Sequence, residues 1–363
     1  MRQRDILNYR FIIVALFIEI LAPGVIAEVL YIDSTNGNDT NPGTKEQPLK
    51  TIDKAAALTN SSAKPEPTII KVAPGVYVLT EPVVFENTRP YTNEKRLIIE
   101  ATVLPDEPQW KPALMPAILS AQDPRKTEQL DKLTETYSIK VKTSHVTIKG
   151  LKFLGNPLVN NWHCCIERVG EKLDDLLVTQ CVFVGNKDGL NIYYAALATG
   201  DRFVVDHCIF KDCGACVVFW DGQEEIGCRG CAMRYCIVDD AHISSVWTCR
   251  TDEDFEFHHN IVTGSEYFWI RKRGDHQRYK IDKCVIVGNK YWSGYGVPSR
   301  PTGQTGPEVT YDGKNVAKEG QVVLVKDKTS RNSLHAVECT LGSNLDAGLF
   351  KKRIKTQEQA KND

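Results

Sequence analysis

One segment returns six times between residues 145 and 287, as HVTIKGLKF, LLVTQCVFV, VVDHCIFKD, AMRYCIVDD, FEFHHNIVT and YKIDKCVIV. Aligned, these segments put Leu151, Cys181, Cys208, Cys236, Asn260 and Cys284 in one column, at steps of 30, 27, 28, 24 and 24 residues. Two positions on, Phe153, Phe183, Phe210, Val238, Val262 and Ile286 form a second apolar column. Three positions before the first lie Ile148, Val178, Val205, Met233, Phe257 and Ile281, and Asn156, Asn186 and Asn289 share a turn position. Each segment alternates apolar and polar residues, the pattern of a strand with one buried face. A period in the twenties made of short strands marks a solenoid whose coils stack ~4.8 Å apart and lay equivalent side chains over one another. Helical spacing of apolar residues is missing, which argues against leucine-rich and helical repeats. The expected fold is therefore all-β, a single-stranded parallel β-helix.

The twelve cysteines all lie between Cys164 and Cys339. Cysteine is small, apolar and readily buried, so packing accounts for its place in the column. Two pairs, Cys213-Gly-Ala-Cys216 and Cys228-Arg-Gly-Cys231, have the spacing of a four-thiolate zinc site. However, Cys213 shares the asparagine turn column, and Cys231 shares the inward column of Val146, Leu176 and Phe203. Separate coils explain both pairs without metal, and a disulfide involving Cys228 or Cys249 is the other alternative.

Residues 1–27 read as a cleavable secretory signal: Arg2, Arg4 and Arg10, an apolar run from Phe11 to Ile20 broken only by Glu19, then Val25-Ile26-Ala27. The apolar run is too short for a membrane span and ends in Pro23-Gly24, and no lipid-anchor cysteine follows it. The mature protein is expected to be secreted or periplasmic, and monomeric. Residues 28–350 form the β-helix domain, with an N-terminal cap over about 28–65, a C-terminal loop and cap over about 290–350, and a charged tail at 351–363. Thr51 to Leu58 is expected to be a short amphipathic helix covering the open end of the first coil. Tyr291 to Gly320 reads as a long loop, and Val322–Val325 and Ala336–Cys339 as last strands. Net charge is −1, which excludes a global basic field for nucleic acid.

The stretches YIDSTNGNDTNPGTKEQPLKTIDKA and TIIKVAPGVYV resemble the opening of exported right-handed parallel β-helix proteins of the pectate-lyase-like superfamily. The resemblance covers roughly residues 29–350 and implies that architecture; the same scaffold hosts lyases, hydrolases, epimerases and non-enzymes. Asp33, Asn38 and Asp39 in this opening are turn formers that could also hold calcium. No other cofactor is indicated, and no metal ligand set is assigned.

Aromatic and charged residues follow the second strand of successive coils: Tyr193 and Tyr194, Trp220 with Asp221, Trp247 with Arg250, and Trp269 followed by Arg271, Lys272 and Arg273. Aromatic faces stack on sugar rings and arginine grips carboxylates, so Tyr194, Trp220, Asp221, Trp247, Arg250 and Trp269 are the expected binding row for a polysaccharide or oligosaccharide. Uronate β-elimination needs a cation for the carboxylate, a base and an acid; Arg271, Lys272 and Arg273 could supply the first two, and His242 or Tyr194 the acid. Hydrolysis needs two carboxylates, and Asp239-Asp240 with His242, joined by Asp188, is faintly similar to the polygalacturonase-type pattern. The histidine follows two residues later on the same coil, and the basic run reads RKR in place of RxK. His207, His258 and His259 line up with Tyr235 as an outer polar stack. Nucleotide loops, a GxSxG elbow and HExxH are absent from the sequence. A lyase acting on acidic glycans is the leading expectation, with a non-catalytic glycan-binding protein and a glycoside hydrolase as alternatives.

Overall fold

The computed structural model describes residues 27–64, 66–86, 90–123, 134–158, 161–220, 228–249, 255–271, 279–297, 300–305, 311–312, 316–324 and 336–351. The signal-like segment before residue 27 and the tail beyond residue 351 lie outside them. Three long parallel sheets run along the molecule, here called A, B and C. In a central coil the chain passes through Asp174–Thr179 in sheet A, Val182–Val184 in sheet B and Tyr194–Ala198 in sheet C, then returns to sheet A at Asp201–Asp206. Among the described residues nine further coils or part-coils repeat the path, giving the right-handed parallel β-helix that crossover chirality favours.

The columns expected from the sequence are present. In sheet B, Val182, Ile209, Ile237, Ile261 and Val285 are successive register partners, which stacks Cys181, Cys208, Cys236, Asn260 and Cys284 one position earlier. All five are fully buried. Phe153, Phe183 and Phe210 pile up with ring centres 5.0 and 4.8 Å apart. Asn260 can replace a thiol in the column because its amide is satisfied: Oδ1 accepts from the Cys236 N–H and Nδ2 donates to the Met233 carbonyl. All twelve cysteines are free thiols. Cys213 and Cys216 flank the turn from sheet B to sheet C, whereas Cys228 and Cys231 flank the turn from sheet C to sheet A, so the two pairs occupy different corners. Among the described residues no three His, Cys, Asp or Glu side chains are grouped to hold a metal.

The corner from sheet A to sheet B turns on a single left-handed residue, Gln180, His207, Tyr235, His259 or Lys283, with φ between 47° and 55°. That conformation costs about 1–2 kcal/mol per residue with a side chain. Stacking offsets it: Tyr235 lies between His207 and His259 at centroid distances of 4.7 and 4.6 Å. The C-terminal segment lies across this corner and sheet B. Asn344 donates to the Asn260 and Lys283 carbonyls, Gly348 to that of Tyr235, and Gln180 donates to that of Leu349. It covers the outward residues Ile209, Ile237 and Ile261.

Three local expectations change. The capping helix runs Ile52–Ser61, started by Thr51, whose side chain accepts from the Lys54 N–H. Tyr291–Val297 is a ninth-coil strand of sheet C and pairs antiparallel with Arg300–Thr305, so the Gly- and Pro-rich stretch is not wholly loop. Asn186 is exposed and does not join Asn156: residues 186–190 bulge out, closed by an Asn186–Leu190 bridge, and Asn191 pairs with Asn156 instead. Among the described residues no helix is long and apolar enough to cross a membrane.

Candidate functional site

Sheet C carries two outward columns. The first is Tyr137, Cys164, Tyr194, Ala215, Ser244, Tyr267 and Tyr291; the second is Lys140, Glu167, Leu197, Val218, Trp247 and Ile270. Near the N-terminal end of these columns a cavity of about 350 Å³ opens, lined by Glu135, Tyr137, Trp162, Cys164, Glu167, Val169, Tyr194, Leu197 and Trp220. Its walls come from four adjacent coils, through strands Thr134–Val141, Asn161–Arg168 and Tyr194–Ala198 and through Trp220 at the end of Ala215–Phe219. Trp162 and Tyr193 pack with ring centres 5.5 Å apart, and Tyr193 meets Tyr194 edge-on at 4.7 Å.

The polar groups of this cavity form one cluster. The Tyr137 hydroxyl donates to Glu135 Oε2 and lies close enough to Glu167 to hold that carboxyl down as well. Lys140 Nζ is 2.9 Å from Glu167 Oε2 and 3.7 Å from the centre of the Tyr137 ring. Burial raises the Glu167 pKa from its ordinary value, Lys140 opposes the shift, and Glu135 adds to it. Burial likewise pushes up the Tyr137 and Tyr194 hydroxyls and the Cys164 thiol, so all three stay protonated at neutral pH. Behind the sheet, His163 is fully buried between Thr136 and Ser138, and burial takes its pKa down to about 3. A neutral histidine bonded on both ring nitrogens fixes the strand that carries Trp162 and Glu167.

Of the expected binding row, Tyr194 and Trp220 line this cavity. Trp247 is on the same outer side but is wholly buried, packed in the apolar cluster that includes Val218 and Ile270. Trp269 points the other way, into the coil interior, where its indole N–H donates to Thr248 Oγ1. Arg271 is 2% exposed and shares the inward column of Ala198, Phe219 and Thr248. Neither Trp269 nor Arg271 can reach a ligand on the surface, because strand parity turns them inward. Asp221, Arg250, Lys272 and Arg273 lie outside the described residues.

The expected carboxylate pair is split. Asp239 is tied to Lys211 at 2.8 Å on sheet B, whereas Asp240 and His242 join Asn186, Lys187, Asp188, Asp212 and Glu266 around a second concavity of about 480 Å³. Burial, then Lys187, lowers the His242 pKa. At the N-terminus, Asp33 accepts from Thr35 and Asn36, Asn38 from Thr40, and Asp39 from Lys50 and Thr51. These oxygens shape the turn and the helix entry.

Fold and site together define a right-handed parallel β-helix with an aromatic-walled acidic groove on one outer sheet. Residues 35–194 match a family described as a protein of unknown function, DUF1565. Among solved structures, the chain is similar to a rhamnogalacturonan lyase at 12% identity and TM-score 0.44, over 73% of this chain and 75% of that one. It is also similar to a pectin methylesterase from Aspergillus niger at 13% identity and TM-score 0.47, over 90% and 95%. A lacto-N-biosidase from Eubacterium ramulus follows at 10% identity and TM-score 0.37, over 80% and 67%. No curated protein matches the chain.

Proposed function

We propose that this protein binds polysaccharide across the outer face of sheet C and hydrolyses glycosidic bonds there, with Glu167 as the acid and Glu135 as its partner. The observation that supports this reading best is two carboxyls with unequal surroundings in one aromatic-walled cavity. Glycoside hydrolysis uses such a pair, one protonated to release the leaving oxygen and one to activate water or attack. Glu167 is partly buried and its pKa is raised; Glu135 is exposed at the rim and free to face water. Trp162, Trp220 and Tyr194 offer ring faces for sugars, and coils ~4.8 Å apart roughly match one sugar residue.

Uronate β-elimination has less support. Arg271 faces the interior, and the groove's lysine is already bonded to Glu167. Incubation with a panel of polysaccharides is expected to release new reducing ends without the ultraviolet absorbance of unsaturated ends. Glu167→Gln should lower that rate by about a hundredfold or more while retaining binding. The alkaline limb should follow Glu167: the wild-type rate holds below its raised pKa and falls as pH rises through it. Unsaturated products would instead favour elimination, and binding without any cleavage would leave a non-catalytic glycan-binding protein.

A further inference from the structure

We infer that Glu167 acts as a specificity gate: by occupying Lys140 it keeps uronate chains out of the groove and admits uncharged ones. This rests on the groove being a glycan site. Among the described residues lining or bordering the cavity, Lys140 is the one cation, against Glu135 and Glu167. Its ammonium is engaged on two sides, by Glu167 Oε2 at 2.9 Å and by the Tyr137 ring at 3.7 Å. A uronate lying against Trp162 or Trp220 would meet the Glu135 carboxylate with no uncommitted cation among the described lining residues to balance it. Like charges brought together in a partly desolvated interface are strongly unfavourable, whereas an uncharged sugar pays no such penalty.

The groups facing Glu167 are Lys140, Glu135 and Tyr137 from the preceding coil, Cys164 on its own strand and Tyr194 on the next. Tyr137, Cys164 and Tyr194 are neutral at pH 7, so the Glu167 charge decides whether Lys140 is available. The gate belongs to the ionised form of Glu167, which pairs with Lys140. Taking up the proton that arms it as the acid, or substitution, would release Lys140 to pair with a sugar carboxylate. A uronate should therefore bind together with a proton.

Calorimetric titration at pH 7 with length-matched neutral, amino and uronate oligosaccharides tests this. Wild type is expected to bind the neutral set at least about tenfold more tightly than the uronate set. Glu167→Gln should close the gap by gaining uronate affinity, and Lys140→Met in the same background should reopen it. Equal uronate and neutral binding by wild type, or no uronate gain in Glu167→Gln, would overturn the gate while leaving the groove in place. Failure of all three sets to bind would remove the groove reading and the gate together.

Discussion

Tryptophan shows how one residue type divides between two roles in this chain. Trp220 lines the groove, while Trp269 fills the interior between Phe257, Phe255 and Tyr279. Their alanine variants should separate cleanly. Trp269→Ala leaves a core void and should cost about 3–5 kcal/mol of unfolding free energy. Trp220→Ala should leave the denaturation midpoint near wild type and weaken oligosaccharide binding about tenfold, as loss of an anchor side chain does. Chemical denaturation and calorimetric titration of the two proteins read both quantities. In the sequence the two tryptophans look equivalent, each following a strand with charges nearby. What separates them is parity across sheet C, which spacing alone does not transmit through turns of unequal length.

The attachment of the C-terminal segment includes a charged contact, between Lys351 and Asp206. Asp206 bonds His207, and Lys351 and Arg234 stand at 3.3 and 3.4 Å from its oxygens. Burial alone would raise this carboxyl, but the His207 hydrogen bond and the charges of His207, Lys351 and Arg234 outweigh it and hold the pKa at about 2. A carboxyl held below its unfolded value of about 3.9 stabilises the folded chain above that pH. The contribution, on the order of 2 kcal/mol, is lost as pH falls from about 4 through 2. Protection factors against hydrogen exchange over residues 336–351 should therefore fall in that window, and Asp206→Asn should leave protection low and independent of pH there. Unchanged protection between pH 5 and pH 2.5 would assign the attachment to the uncharged hydrogen bonds at Asn344, Gly348 and Leu349 alone.

Across the whole molecule, the architecture was legible because stacking constrains sheets A and B coil after coil. The Cys181, Cys208 and Cys236 column, the phenylalanine column and the His207–Tyr235–His259 stack all follow from that repetition. The groove was only half legible. Glu135 and Tyr137 lie in TETYSIKV, and Trp162, Cys164 and Glu167 in NWHCCIER, outside the six aligned segments. The turn from sheet B to sheet C changes length between coils, as the bulge at residues 186–190 shows, so columns on sheet C cannot be extended by counting. The available signal was the alternation of Glu135 and Tyr137 with Thr136 and Ser138, which marks a two-faced strand. The inward turn of Arg271 has the same origin, and it moves the proposed chemistry from the basic run to the carboxyls four and five coils away.

The most direct measurement is a crystal structure of Glu167→Gln soaked with a neutral oligosaccharide. Sugar density over Trp162 and Trp220, with a glycosidic oxygen facing residue 167 and Glu135 nearby, is the predicted result. Density at the Asp240–His242 concavity, with the sheet C groove empty, would contradict the account.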